Sequence, residues 1–443
     1  MVPVPSIPFR NAARRFLGFA RDLQVDQSGA AAVVIAIIFP ILVGGMGLGA
    51  ETGYWYVTQR KLQHAVDVSA HAGGARLRAG DSKSQIDAAA LNIALNTGLS
   101  ASVGTILVNS PPAQGSKVGD TRSLEVVLTE VHPRLFSSVF SSTPVTVKTR
   151  AVASIVANSK ACVLALSPVA SGAVSVTGST NVNLQSCDVA SNSNSSSSFL
   201  MSGSAALSAG CVYAVGQAVT TSGLTLSQCA AIKTDAPVVR DPYADVAEPA
   251  AIGSCRNRNV GTPNGSTTIT PSDNQPSGVK SARFCSGLDL KGSVTFAPGL
   301  YIIEGGNLTV NGGDPNSNSV VQVSGTNVTF YFVNGGTLKL TAKATLNLSA
   351  RTSDPFSGIL FFGSRTSAGA SQTITGSSGS TLQGAVYMPQ SNILFTGNST
   401  TSNGCTQVIG FTVTFSGNSS LQSNCTGSGT RTIETNETVA IVE

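Results

Sequence analysis

Charge is scarce in this sequence. Of its 443 residues only 11% are Asp, Glu, Lys or Arg and only 6% are aromatic, with one tryptophan and three histidines. Disorder joins high charge to low hydrophobicity, and 41% of this chain is hydrophobic, so the shortage of charge does not read as disorder. A net charge of +5 is small for the length, and no stretch interleaves basic and aromatic side chains, which argues against a nucleic-acid partner. No histidine follows His132, so a Ser-His-Asp triad would have to be built across domains. No GxSxG string completes; Gly397-Asn398-Ser399 starts one and fails at Thr401. His64 and His71 stand seven apart, wider than the i, i+4 spacing of a metal pair. The calcium-binding nonapeptide is absent, Gly312-Gly313-Asp314-Pro315 being a fragment of it. The sequence therefore offers no candidate catalytic, cofactor-binding or metal-binding residue.

The first 161 residues hold no cysteine. Eight follow: Cys162, Cys187, Cys211, Cys229, Cys255, Cys285, Cys405 and Cys425. None forms a CxxC pair, which argues against zinc, and an even number confined to one part of the chain fits disulfides in an oxidising compartment. That part is then exported.

Between Gln27 and Ala50 there is no charge at all. About 20 such residues, at ~1.5 Å each, cross a ~30 Å hydrocarbon layer. The run is longer than the apolar region of a signal peptide, although Gly47-Leu48-Gly49-Ala50 offers small residues for cleavage; a retained anchor and a cleaved signal are the two readings, and the anchor is preferred. Arg10, Arg14, Arg15 and Arg21 on the N-terminal flank, against Asp22 and Asp26, place that flank in the cytoplasm by the positive-inside rule. Gly45 and Gly49 form a small-xxx-small pair, readable as a helix-packing face or as ordinary glycine enrichment. Beyond the run, Tyr54, Trp55 and Tyr56 sit where an interfacial belt would lie, and Leu62, Ala65, Val66, Ser69 and Ala72 recur at helical spacing. Gly73-Gly74 and Gly80 are expected to weaken or end that helix.

Ser28-Gly29, Pro40, Glu51 with Tyr54, and Leu62-Gln63-His64-Ala65-Val66-Asp67 carry a resemblance. The stretch from about 27 to 80 resembles the N-terminal segment of TadE/TadG-like proteins of the tight-adherence (Tad, Flp) pilus-assembly system. Two departures select among its variants. Val34 stands where a pilin-like segment has glutamate, so the anchored TadG-like form fits better than a processed pilin. The metal motif of von Willebrand type A domains found in some TadG-like proteins is broken at Asp188-Val189-Ala190-Ser191-Asn192, so no metal site is carried over. The following strings TILVNSPP, SLEVVLTEV, PRLFSSVF and PVTVKTRAVASIV are similar to that group's next module and read as strand, strand, short helix, strand, with Val126, Leu128 and Glu130 alternating against Val127, Thr129 and Val131.

From about Lys160 short valine-rich strands alternate with Gly, Ser and Asn turns. Asn307, Asn327 and Asn347 are spaced by twenty, as are Cys405 and Cys425, and this points to one coil per twenty residues and a parallel β-helix-like stack, with a sandwich or jelly roll as the competing fold. Adjacent coils then bring Cys405 to Cys425, and the other six cysteines would pair in sequence order, Cys162–Cys187, Cys211–Cys229 and Cys255–Cys285. A proline-rich excursion near 233–284 interrupts the repeat and holds Asp241, Asp245 and Glu248, the one acidic cluster of the body; solvated loop charge is a simpler reading of it than glycosidase carboxylates. Asn-x-Ser/Thr strings such as Asn307-Leu308-Thr309 reflect turn composition.

The expected organisation is a cytoplasmic basic segment (1–28), a transmembrane anchor (29–50), a helical extension (51–80), a small α+β module (81–158) and the repeat body (159–443). The fold class is mainly β with an N-terminal transmembrane helix. The resemblance implies a structural component of the Tad/Flp pilus-assembly system with other Tad pilus or envelope proteins as partners; the uncharged run and its arginine flank make it single-pass in the inner membrane, and the absence of histidine after His132 and the scattered carboxylates imply no cofactor and no enzyme activity. The alternative is a polysaccharide-acting enzyme or carbohydrate-binding protein on a β-helix.

Overall fold

One helix, α1 (Ala30–Ala79), carries the chain out of the apolar run without a break through Pro40, a residue that apolar spanning helices tolerate. The computed structural model describes residues 30–184, 187–310, 321–340, 344–353, 355–375, 380–396, 399–400, 405–421, 425 and 427–443. The basic segment 1–28, Gly29, Gly397-Asn398 and Gly312-Gly313-Asp314-Pro315 lie outside these. The chain divides into two units, residues up to Val156 together with Val439–Glu443, and Ala157–Thr438.

In the first unit the stripe Leu62, Ala65, Val66 and Ser69 is the buried face of α1. Gly73-Gly74 does not end this helix, contrary to the expectation from sequence. These glycines are close-approach sites: a Cβ on Gly73 would stand 2.6 Å from Leu124 Cδ2, and one on Gly74 would stand 2.8 Å from Val439 Cγ1 and 3.0 Å from Ala153 Cβ. The missing side chains let the sheet press against the helix. Gly80, with φ +81°, closes it; only glycine takes that left-handed backbone without strain. A second helix, α2 (Lys83–Thr97), goes beyond the elements read from sequence. The Ser82 backbone N–H donates to Gln85 Oε1 at 2.9 Å to start it, and Ile86, Ala90 and Ala94 form its buried face. Strands β1 (Gly104–Asn109), β2 (Ser123–His132) and the first part of β3 (Val145–Ala165) form an antiparallel sheet in that order, with Leu128 opposite both Ile106 and Thr149. Leu124, Val126, Leu128, Val147 and Ala151 meet the two helices in one core.

The second unit is built from parallel strands in three ladders. In the first ladder Lys280–Phe284, Gly299–Glu304, Val328–Val333 and Ile359–Gly363 stack in turn. Residues 384–388, 406–410, 161–165, Asp188–Ser191 and Val212–Ala214 continue it. A second ladder runs beside it through Leu288–Leu290, Asn307–Val310, Thr337–Leu340 and Ser371–Thr375. The third ladder includes Ser293–Phe296, Val321–Gly325 and Ala344–Ser349. This arrangement is compatible with a parallel β-helix-like stack. The order of coils is not the order of the chain: residues 163–182 stack on 408–419, Val163 on Val408, Val174 on Val413 and Val182 on Ser419. The earliest coil of the unit therefore follows the last.

The twenty-residue period is local. Thr412 and Asn392 are partners twenty apart, and Ser399 pairs with Ser419. Elsewhere Asn307 faces Thr337, thirty residues on, Asn347 pairs with Ser324, and Asn327 is a turn residue at φ +56°. The three asparagines share no ladder. Apolar side chains pointing into the stack set the register, and corner loops of unequal length absorb the rest.

Candidate functional site

Two places gather the polar side chains that the sequence singled out. The first is the outer end of the apolar run in α1. Val33, Ile35, Ile37, Ile41 and Met46 are all more than half exposed, and the helix is long and apolar enough to cross a membrane. Immediately past this run stands Glu51, which is only 1% exposed. Its carboxylate accepts hydrogen bonds from the Leu135 backbone N–H at 2.9 Å, the Ser137 N–H at 2.7 Å and the Ser137 hydroxyl at 2.8 Å. The donors come from the start of a single 3-10 turn, Phe136–Val139, whose free N–H groups suit a carboxylate. Arg134 sits over the Trp55 ring at 5.8 Å and donates to Thr143 O at 2.8 Å and to Ser137 Oγ at 3.2 Å. Tyr54 stands edge-on to His132, which contacts Glu130 at 2.9 Å. Acid, arginine and aromatics thus form a collar that clamps the Arg134–Phe140 loop to the helix. The sequence signal for it was the acid-plus-aromatic at the end of the run; the loop that meets it, some eighty residues on, reads from sequence as a short helix in PRLFSSVF, which is the 3-10 turn Phe136–Val139, with nothing to mark it as the partner of the acid.

The second place is the acidic cluster of the second unit. The stretch 233–284 is not one excursion: Ser266–Ile269 pairs with Ser293–Phe296 and Lys280–Phe284 with the strand at 299–304. These strands are short and polar outward, and so escape a pattern search. What leaves the stack is the segment from about 234 to 254, which lies along the outer face of the first ladder as a strap; Cys255 and Arg256 rejoin the stack at Arg283. Asn192 exchanges two hydrogen bonds with the Val239 backbone, at 2.8 and 2.9 Å. Asp241 accepts from Tyr387 OH at 2.8 Å, and Glu248 from Tyr331 OH at 2.7 Å and Ser364 Oγ at 3.0 Å. Asp245 accepts from Arg431, and this bond, the largest influence on it, holds its carboxyl below the usual range. Arg365 donates to Tyr243 O at 2.8 Å and Val246 O at 2.9 Å while lying over Phe362 and Tyr387. Burial pushes the Tyr243 phenol up to about 12, and raises Tyr331 and Tyr387 as well, so these phenols stay protonated: Tyr331 and Tyr387 donate to the carboxylates, and Tyr243 OH accepts from the Arg431 N–H at 3.0 Å. Each carboxylate of the cluster is engaged in fastening the strap.

Asp188, at the place of the broken metal motif, is 1% exposed and accepts from the Cys211 N–H and the Thr435 hydroxyl, both at 2.8 Å. Among the described residues no group of three His, Cys, Asp or Glu could hold a metal ion. The eight cysteines stand in four pairs at disulfide distance: Cys162 with Cys187, Cys211 with Cys229, Cys255 with Cys285 and Cys405 with Cys425, with Cα separations of 5.6, 5.3, 5.4 and 4.7 Å.

No curated protein and no solved structure matches the chain. Residues 29–76, the apolar run with its collar acid and the buried-stripe helix, match the family model described as "Putative Flp pilus-assembly TadE/G-like". Over these residues the chain is similar to the TadE/TadG-like proteins of Flp (Tad) pilus assembly.

Proposed function

We propose that the protein is a single-pass, membrane-anchored scaffold of the Tad/Flp pilus-assembly system in a bacterial inner membrane, with its N-terminus in the cytoplasm and both folded units exported. The observation that carries this reading is the continuity of α1. Its 50 residues extend ~75 Å at ~1.5 Å per residue, so about the first 20 suffice to cross a bilayer. The remainder is the core helix of a folded unit. The anchor and the core helix of the first unit are one continuous helix, as a component that transmits or resists force across an envelope requires. The arginine-rich flank supports the orientation, and the cysteine pairs, all in the second unit, support an oxidising location. A structural role is favoured over catalysis because the acidic cluster serves the strap. Partners are other Tad pilus or envelope proteins.

The test is a reporter active only in the periplasm, fused after Glu443 in the native host, combined with fractionation. Reporter activity and retention with the inner membrane are expected. Inactivity of a correctly expressed fusion overturns the topology, and recovery in sheared pili replaces the scaffold with a minor fibre component.

A further inference from the structure

The collar loop leaves a group of apolar side chains uncovered. Leu135, Phe136, Val139 and Phe140 are 53%, 52%, 84% and 78% exposed. In water this would be an unusual display for a six-residue stretch, since large apolar side chains gathered in one exposed place mark an interaction site. Their position says what covers them. Phe136 packs against α1 at Gly47, where an added Cβ would stand 2.5 Å from its ring, and Glu51 grips the same loop one turn further on. Gly47 belongs to the uncharged run that the anchor reading places in the bilayer. The loop is therefore held at the boundary of hydrocarbon and headgroups, level with Tyr54, Trp55 and Tyr56, the residue types that collect at that boundary. Arg134 at the root of the loop lies over the Trp55 ring at 5.8 Å, which keeps its charge among the interfacial aromatics.

We propose that Leu135–Phe140 is a second membrane contact, a wedge seated in the outer-leaflet interface beside the spanning helix, so that the first folded unit is docked on the bilayer and not merely tethered above it. This rests on the anchor reading. Its occupant is lipid, argued from continuity with the span. The glycine at 47 and the buried acid at 51 acquire a role in it: one admits Phe136 to the helix surface, the other fixes the height of the turn.

The chain's one tryptophan makes the test direct. In full-length protein carrying Trp55→Phe, a single reporter is introduced as Phe140→Trp, as Val139→Trp, as Val43→Trp within the span, or as Val118→Trp. Val118 lies in the loop before β2, whose neighbour Leu124 meets α1 at Gly73, some 30 Å of helix beyond Glu51 at ~1.5 Å per residue. Each variant is reconstituted in phosphatidylcholine–phosphatidylglycerol bilayers with or without acyl-chain bromine, and folding is checked by circular dichroism. With the wedge seated, Phe140→Trp and Val139→Trp lose about half of their emission to brominated lipid and are blue-shifted, as groups buried at the headgroup–acyl boundary are. Val43→Trp is quenched more strongly and Val118→Trp not at all. Quenching at Val43→Trp without quenching at either loop position overturns the wedge and leaves the anchor standing. Absence of quenching at Val43→Trp overturns both. A blue shift at the loop without quenching overturns lipid as the occupant in favour of a second protein surface.

Discussion

Glu51→Gln removes the charge from the collar while keeping its size. The wild-type carboxylate, 1% exposed, serves three donors, the N–H groups of Leu135 and Ser137 and the Ser137 hydroxyl, at 2.7 to 2.9 Å. The amide keeps one acceptor oxygen and turns an NH2 toward the remaining donors, so at least one buried backbone N–H loses its partner. A hydrogen bond to a charged group contributes about 1.5–3 kcal/mol, and an orphaned buried donor costs about 1–3 kcal/mol. Because the three bonds act together, a net loss of about 2 kcal/mol in holding the loop is expected, and 1.4 kcal/mol is about tenfold, so opening rises about thirtyfold. Amide hydrogen exchange of the full chain in detergent reads this at Leu135 and Ser137, with amides of α2 as an internal standard. Ser137→Ala, which removes only the hydroxyl, should cost about 1 kcal/mol. Unchanged exchange at both amides in folded Glu51→Gln protein would refute the reasoning, because it would mean that the carboxylate does not hold the turn.

Gly73→Ala should destabilise the first unit by about 1–3 kcal/mol through overpacking against Leu124, whereas Gly53→Ala, with nothing within 4 Å of the new Cβ, should stabilise by about 0.5–1 kcal/mol through helix propensity; thermal melts of both decide whether contact or propensity governs this helix. Non-reducing peptide mapping should recover Cys405 joined to Cys425, and Cys405→Ser should lower the stability of the second unit by roughly 3 kcal/mol for a loop of about twenty residues; Cys405 joined elsewhere, or free in exported protein, refutes the register of the last coil. Glu443 is held at about pKa 2, first by the Ser116 hydroxyl and then by Arg150, against an ordinary 4.5. A depressed folded value means that its contribution is complete above pH 4.5 and is lost as the pH falls toward 2, so Ser116→Ala should lower stability at neutral pH, leave it nearly unchanged near pH 2 and flatten the acid limb of the melting profile between. Arg365→Ala, which frees Tyr243 O and Val246 O, should open the strap to limited proteolysis near Asp245 while the parallel ladders stay protected.

Much of the plan was legible in the residues because it depends on near neighbours. The uncharged run, the arginine flank, the helical stripe from Leu62 to Ser69 and the alternation of Val126, Leu128 and Glu130 are periodic signals, and periodicity is a local property. The helix at Lys83–Thr97 was missed although Ser82 and Gln85 mark its start, since its buried face is three small or branched residues without a strong stripe. Gly73-Gly74 misled because a glycine pair has the same local preference whether it breaks a helix or admits a neighbour; Leu124, Ala153 and Val439, distant in sequence, decide which.

What the sequence by itself determined is the parts: an apolar helix long enough to cross a bilayer, a small α/β module and a supply of short strands with turn residues between them. It even marks which strands are buried on both faces, since LYII, FYFV and ILFF are unbroken apolar runs while TLKL and ATLNLS alternate. Only the tertiary structure decided their order and their partners. That Val163 stacks on Val408, that the strap returns along the one ladder with apolar runs, and that Glu51 is met by Ser137 are contacts between residues tens to hundreds of positions apart. Short parallel strands of similar composition fit one another in many orders, and the choice among them is made by the packing of the whole interior, which no local pattern encodes.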